Sequence, residues 1–231
     1  MRTPTILAGV LAVALVPTAT VAVAQKPPKP PKPPAPAANA VSINVSKAVV
    51  QFPGTAVVSG ALTGSAPLGG RSITLEQDDT KPYGDTFKPS GQKVDTAANG
   101  SYAITVKPQR NTQYRVVAKS TPAVTSPASR VLLVRPFVGI KASTVIPRAG
   151  RTVRFSGLVQ PARNGAVVQL QRRSSTGSFV TVKRGTLVAT TGGSLYRISI
   201  RVRRSGTYRV KLSANSEFTN GISKRVALRV R

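Results

Sequence analysis

The sequence has no cysteine, no histidine and no tryptophan, and its single methionine is the first residue. Thiolate nucleophiles, disulfide frameworks and Cys/His metal centres are therefore excluded, as is any Ser-His-Asp triad. Acidic residues are scarce: six Asp+Glu stand against 34 Lys+Arg, a formal net charge of +28. Long apolar runs are scarce too. The run from Ile6 to Val16 falls short of the roughly 20 residues that a membrane-spanning helix needs. At roughly 100–200 residues per domain, the length allows one large or two small domains.

What surrounds that short run gives it a meaning. Arg2 precedes it, Pro17-Thr18 ends it, and Ala22-Val23-Ala24 offers a small-x-small site before Gln25. This is the order of a secretory signal peptide, residues 1–24, with cleavage expected after Ala24. The mature protein is then secreted, extracellular or held at the cell envelope, with no membrane insertion after cleavage. Domains that live there without any disulfide point to a bacterial source.

Residues 25–40 read QKPPKPPKPPAPAANA, with Lys-Pro-Pro repeated from Lys26, Lys29 and Lys32. Proline fixes φ and removes donors, so the segment is expected to be an extended polyproline II spacer. Its lysines fall on one edge of a three-fold helix, which leaves contact with anionic wall polymer as the alternative.

After Val41 the chain alternates. Tyr196, Ile198, Ile200 and Val202 interleave with Arg197, Ser199, Arg201 and Arg203, and Tyr208, Val210 and Leu212 with Arg209 and Lys211. Period two with no helical spacing predicts strands with one face in a core and one in water. The chain also repeats. Ser59-Gly60 matches Ser156-Gly157, Leu75 matches Leu170, and Tyr102 within Gly100–Val106 matches Tyr196 within Gly193–Ile200. Tyr114-Arg115-Val116 matches Tyr208-Arg209-Val210, and Arg130–Leu133 matches Arg225–Leu228. The spacing of about 95 residues divides the chain near Arg135-Pro136 into units 41–135 and 136–231, each the size of an Ig-like sandwich. Strands are expected near 137–146, 151–160, 166–173, 178–183, 195–203, 206–214 and 222–230. Tyr114 and Tyr208 open the penultimate strands, where a tyrosine corner would tie back to upstream backbone. A plain core tyrosine is the alternative there.

The run Asn99–Val106, a tight turn followed by Tyr and an alternating strand, resembles secreted bacterial Ig-like modules. So do Ser156–Val159, Val168–Arg173 and Gly206–Val210 in the second unit. Among such modules are the fibronectin type III-like and carboxypeptidase regulatory-like families, as found in extracellular proteins of actinobacteria. The resemblance implies an all-β protein of two tandem Ig-like antiparallel β-sandwiches with binding or spacing roles. It brings no catalytic residue with it.

Charge divides unevenly. Residues 41–135 hold 11 Lys+Arg and 5 acids, a net of +6, while 136–231 hold 19 and 1, a net of +18. Alternation places Arg154, Arg197, Arg201, Arg203, Arg209, Lys211 and Arg229 on outward positions. These are the candidate polyanion-binding residues, spread over both outer faces rather than gathered on one side. Against this stands a compositional account: outward strand positions need polar residues, and an Arg-rich bias fills them. The acids Glu76, Asp78, Asp79, Asp85 and Asp95 cluster around a long loop, but their spacing matches no calcium site and the segment is expected to be solvated. Gly69-Gly70 and Gly192-Gly193 are expected in turns rather than in phosphate loops.

No enzyme constellation, metal site or cofactor is expected. The favoured partner is an anionic polymer of the cell envelope or matrix, an acidic polysaccharide or nucleic acid. The alternative is a structural module, an adhesin or accessory domain, with a protein partner and incidental charge.

Overall fold

The computed structural model describes residues 38–231 except 65, 66 and 121. The expected signal peptide, residues 1–24, and most of the Lys-Pro-Pro segment lie outside the described residues. The described part is all-β, two tandem Ig-like sandwiches, and no helix in it is long and apolar enough to cross a membrane.

The first sandwich is built from β1 (Ala40–Val41), β2 (Asn44–Val45), β3 (Val49–Gln51), β4 (Ala56–Thr63), β5 (Ser72–Asp78), β6 (Lys88–Asp95), β7 (Ser101–Val106), β8 (Gln113–Ala118), β9 (Val124–Thr125) and β10 (Leu133–Arg135). One sheet carries β1 and β2 against β4, with β7 on the other side of β4. The facing sheet runs β6-β5-β8-β9, and β10 pairs in parallel with β3. That parallel pair is a departure from the wholly antiparallel expectation.

The second sandwich repeats the plan with β11 (Phe137–Val138), β12 (Lys141–Ala142), β13 (Arg151–Gln160), β14 (Val167–Arg173), β15 (Phe179–Thr186), β16 (Val188–Thr190), β17 (Gly193–Val202), β18 (Gly206–Leu212), β19 (Gly221–Ile222) and β20 (Val226–Leu228). Its sheets run β11/β12-β13-β17-β16 and β15-β14-β18-β19/β20. The four strands expected at 151–160, 166–173, 195–203 and 206–214 form within two residues of those bounds, whereas the one expected at 222–230 is split into β19 and β20. The short β16 was not legible, because Val188, Ala189 and Thr190 are all exposed and carry no alternating signal.

Alternation explains both cores. Val58, Ile73, Leu75, Tyr114, Val116 and Leu132 are fully enclosed in the first, and Phe155, Val168, Leu170, Tyr196 and Val210 in the second. Each such aliphatic side chain contributes about 1.5–3 kcal/mol when removed from water. The Phe155 and Tyr208 rings meet at 5.2 Å, tilted by 39°, within the range of favourable aromatic contact.

The tyrosine tie-back falls on other residues than expected. Tyr114 and Tyr208 are core tyrosines, 1% and 3% exposed. The hydroxyls that reach upstream backbone are those of Tyr102, which donates to the Ser42 carbonyl at 2.6 Å, and Tyr196, which donates to the Gly139 carbonyl at 2.7 Å. These carbonyls sit where the first strand of each sandwich breaks, between β1 and β2 and between β11 and β12. The continuous strand expected at 137–146 is interrupted for this reason. Gly70 and Gly192 adopt φ of 68° and 78° in turns, as their paired glycines predict.

Candidate functional site

The outward face of the β13–β17 pair collects three of the sequence-derived candidates. Across the ladder Thr152 faces Arg201, Arg154 faces Ser199, and Ser156 faces Arg197. Each arginine is thus opposite a hydroxyl residue, and like charges meet only diagonally, roughly 7–8 Å apart at Cα. Arg154, Arg197 and Arg201 are exposed. Arg203 follows directly, exposed, in the turn after β17.

Arg209 and Lys211 stand on β18 in the facing sheet, and Arg229 lies beyond β20. Arg209 is engaged structurally. Its Nε donates to Gln171 Oε1 at 2.9 Å, its guanidinium lies 3.9 Å from the Phe179 ring centre, and Arg225 approaches the same ring at 5.5 Å. Burial, then the nearby Arg225 charge, lowers its pKa. Lys211 is half-buried, opposite Gln169. The candidates therefore lie on two sheets, and only Arg154, Arg197, Arg201 and Arg203 form one neighbourhood.

A cleft of about 330 Å³ opens at one end of that neighbourhood. Arg201 and Arg203 line it together with Arg172 and Arg204, which alternation alone did not single out. Arg172 Nη2 donates to the Ser205 carbonyl at 2.8 Å, while its Nε is buried with no hydrogen-bond partner. Burial raises the Tyr208 phenol beside it, and the Arg172 guanidinium works the other way.

None of these arginines has a carboxylate partner among the described residues. The ion pairs found there are Arg115–Glu76 at 2.6 Å, Arg110–Glu217 at 2.7 Å and Arg110–Asp79 at 3.8 Å. Glu217, the one acid after residue 135, is therefore turned to the first sandwich.

The acidic loop is not solvated throughout. Asp78 is 1% exposed and accepts from Gly84 N at 2.7 Å, Thr86 Oγ1 at 2.9 Å, Thr80 N at 3.1 Å and Thr86 N at 3.3 Å. Burial pushes its carboxyl up, but these hydrogen bonds outweigh that and leave it below the usual carboxylate value. Both its oxygens are spent on closing the loop. No group of three or more acidic side chains among the described residues is placed to hold a metal ion.

No protein-family description matches the chain, and no curated protein does. Among solved structures it is similar to a tetra-tandem repeat from the extending region of a large adhesion protein, at 18% identity and a TM-score of 0.37 over 84% of this chain. It spans 49% of that structure's length. Bovine butyrophilin is similar at 11% identity and a TM-score of 0.42, over 82% of this chain and 98% of that one. A superoxide reductase (neelaredoxin) variant from Ignicoccus hospitalis is similar at 13% identity and 0.33, over 42% and 80%. Scores of this size leave the fold resting on the strand pairing itself. By that pairing the described residues form an all-β pair of tandem Ig-like sandwiches.

Proposed function

We propose that this is a non-enzymatic, secreted or envelope-associated binding protein whose second sandwich holds anionic polymer by diffuse electrostatic attraction. The first sandwich and the Lys-Pro-Pro segment serve as its spacer. One observation carries the reading: exposed arginines on the β13–β17 face have no acidic neighbour, since Glu217 is committed to Arg110. A surface that needed charge only for solubility would mix signs. Arginine's planar fork suits phosphate, sulfate and carboxylate groups. Charge on both sheets favours broad attraction over a single groove-reading face.

Arg209 supports a second reading. Its hydrogen bond to Gln171 and its stacking on Phe179 show an arginine used for the sheet itself, as in a structural or protein-binding module with incidental charge.

Binding of the mature full chain to heparin and to duplex DNA across a salt series separates the two. Diffuse attraction makes log affinity fall linearly with log salt, with a slope of about −0.9 per duplex phosphate neutralised. The double variant R154E/R197E should flatten that slope by about 1.8, two contacts' worth. Binding with no salt slope, or a variant indistinguishable from wild type, hands the function to the structural module.

A further inference from the structure

We propose that the cleft rimmed by Arg172, Arg201, Arg203 and Arg204 is a discrete site for one phosphate or sulfate ester carried on a sugar. The inference rests on the electrostatic reading above and narrows it from a surface to a pocket. The four arginines that line it come from two separate stretches of chain: β14, and the end of β17 with the turn that follows it. The fold brings them to one opening, with no carboxylate among the lining residues. An oxyanion bound there meets positive charge that no carboxylate of the lining neutralises.

Arg172 is held in position. Ser205 takes one of its donors, and Gly206 makes the room, because a Cβ there would stand 2.5 Å from Arg172 Nε. A fixed guanidinium loses less entropy on pairing with an oxyanion than a free one. The size also fits a small ligand. About 330 Å³ is at the lower end of ligand pockets, enough for one or two sugar units rather than a length of polymer.

The floor decides the class of body that carries the ester. Apolar surface there comes from Val182, which is 42% exposed, and from the half-buried Ile200. Tyr208, the aromatic residue lining the cleft, is 3% exposed and its ring is spent against Phe155. No aromatic face is therefore open for a nucleobase to stack on. The apolar face of a pyranose can lie on such a floor while its ester meets the arginine rim.

The test uses the mature full chain and small probes, followed by titration calorimetry and by NMR shifts. Glucose 6-phosphate and glucose 6-sulfate should each saturate a single site. Glucose should not bind, and inorganic phosphate should bind more weakly than the sugar ester. The exposed-residue variant R204Q should weaken the ester by about tenfold or more, the loss expected for one charge-assisted hydrogen bond. R172Q should do the same, and K93Q, at an exposed lysine of the first sandwich, should leave ester binding unchanged. Failure of the esters to saturate, or an R204Q affinity equal to wild type, overturns the pocket. If heparin binding and its salt slope persist in that case, the diffuse reading survives alone. If the esters saturate while heparin shows no salt slope, the diffuse reading falls instead. Adenosine monophosphate binding markedly tighter than glucose 6-phosphate would overturn the assignment to a glycan.

Discussion

Gly157 lies directly opposite Tyr196 across the β13–β17 ladder, and the tyrosine hydroxyl passes over the glycine to reach the Gly139 carbonyl. A Cβ at Gly157 would overlap that carbonyl oxygen and stand 2.8 Å from the Tyr196 hydroxyl. The same arrangement joins Gly60, Tyr102 and Ser42 in the first sandwich. The repeated Ser-Gly and Gly-Ser…Tyr strings are thus two halves of one device, which pins the broken first strand to the sheet.

Gly157→Ala is expected to destabilise the second sandwich by about 3 kcal/mol, because backbone rather than a flexible side chain must move. Tyr196→Phe keeps the ring in the core and removes only the hydrogen bond, at a cost of about 1–1.5 kcal/mol. Denaturant melts of the two variants measure the difference. If Gly157→Ala proves as mild as Tyr196→Phe, the glycine is not required by close approach.

Arg197 and Ile198 are neighbours in sequence with opposite fates. Arg197 is exposed and Ile198 is 2% exposed. Arg197→Glu should leave stability within about 0.5 kcal/mol of wild type. Ile198→Glu buries an unpaired carboxylate and should unfold the second sandwich. Circular dichroism and thermal melts read both, and an Ile198→Glu protein with a wild-type melt would contradict the core assignment.

That contrast was legible in the sequence because period two reports, within one strand, which side chains turn inward. The repeat was legible for a related reason: Gly60, Tyr102, Gly157 and Tyr196 are geometric necessities, so the chain must restate them in each sandwich. What alternation does not report is contact between distant segments. Arg172 and Arg204 line one cleft only because β14 and β17 take their places in opposite sheets. Asp78 was read as solvated because nothing in a strand pattern reveals that a loop folds its own donors onto one carboxylate. Phe218 belongs to the stretch between β18 and β19, where no periodicity exists to say what it covers.

Phe218 packs into the core of the first sandwich at 5% exposure, with the Arg163 guanidinium 5.1 Å from its ring centre. Its neighbours hold it there: Asn111 N donates to the Glu217 carbonyl at 2.7 Å, Tyr83 Oη to the Ser216 carbonyl at 3.1 Å, and Thr219 N to the Val134 carbonyl at 3.0 Å. Phe218→Ala should therefore cost about 3–4 kcal/mol and lower the melt of the first sandwich, although the residue lies in the second. Glu217→Gln breaks a partly exposed pair with Arg110 and should cost under about 1 kcal/mol. Residues 136–231 expressed alone should still fold around Phe155, Leu170 and Val210 but with Phe218 uncovered, measured as dye binding that Phe218→Ser abolishes. A fragment with no cooperative melt would mean that the two sandwiches fold only together.

Asp78 makes the first sandwich sensitive to acid. A carboxyl whose folded pKa lies below its unfolded one stabilises the fold in full above the unfolded value, about 3.9 for Asp. That contribution is lost as pH falls through the lower folded value, where both states carry the proton. The Asp78 carboxyl is in this position, because burial, which raises it, is outweighed by hydrogen bonds from Thr80, Gly84 and Thr86. Stability is therefore expected to be flat from pH 7 to about pH 5 and to fall below about pH 4. Asp78→Asn should cost about 2 kcal/mol at pH 7, since an amide offers one acceptor where four donors converge. It should also remove most of the loss below pH 4, because the chain has only six Asp and Glu side chains and Asp78 is the enclosed one that four donors hold. Denaturant midpoints at pH 7 and pH 3 for both proteins measure this. A variant that loses as much stability as wild type between those pH values would place the acid-sensitive group elsewhere.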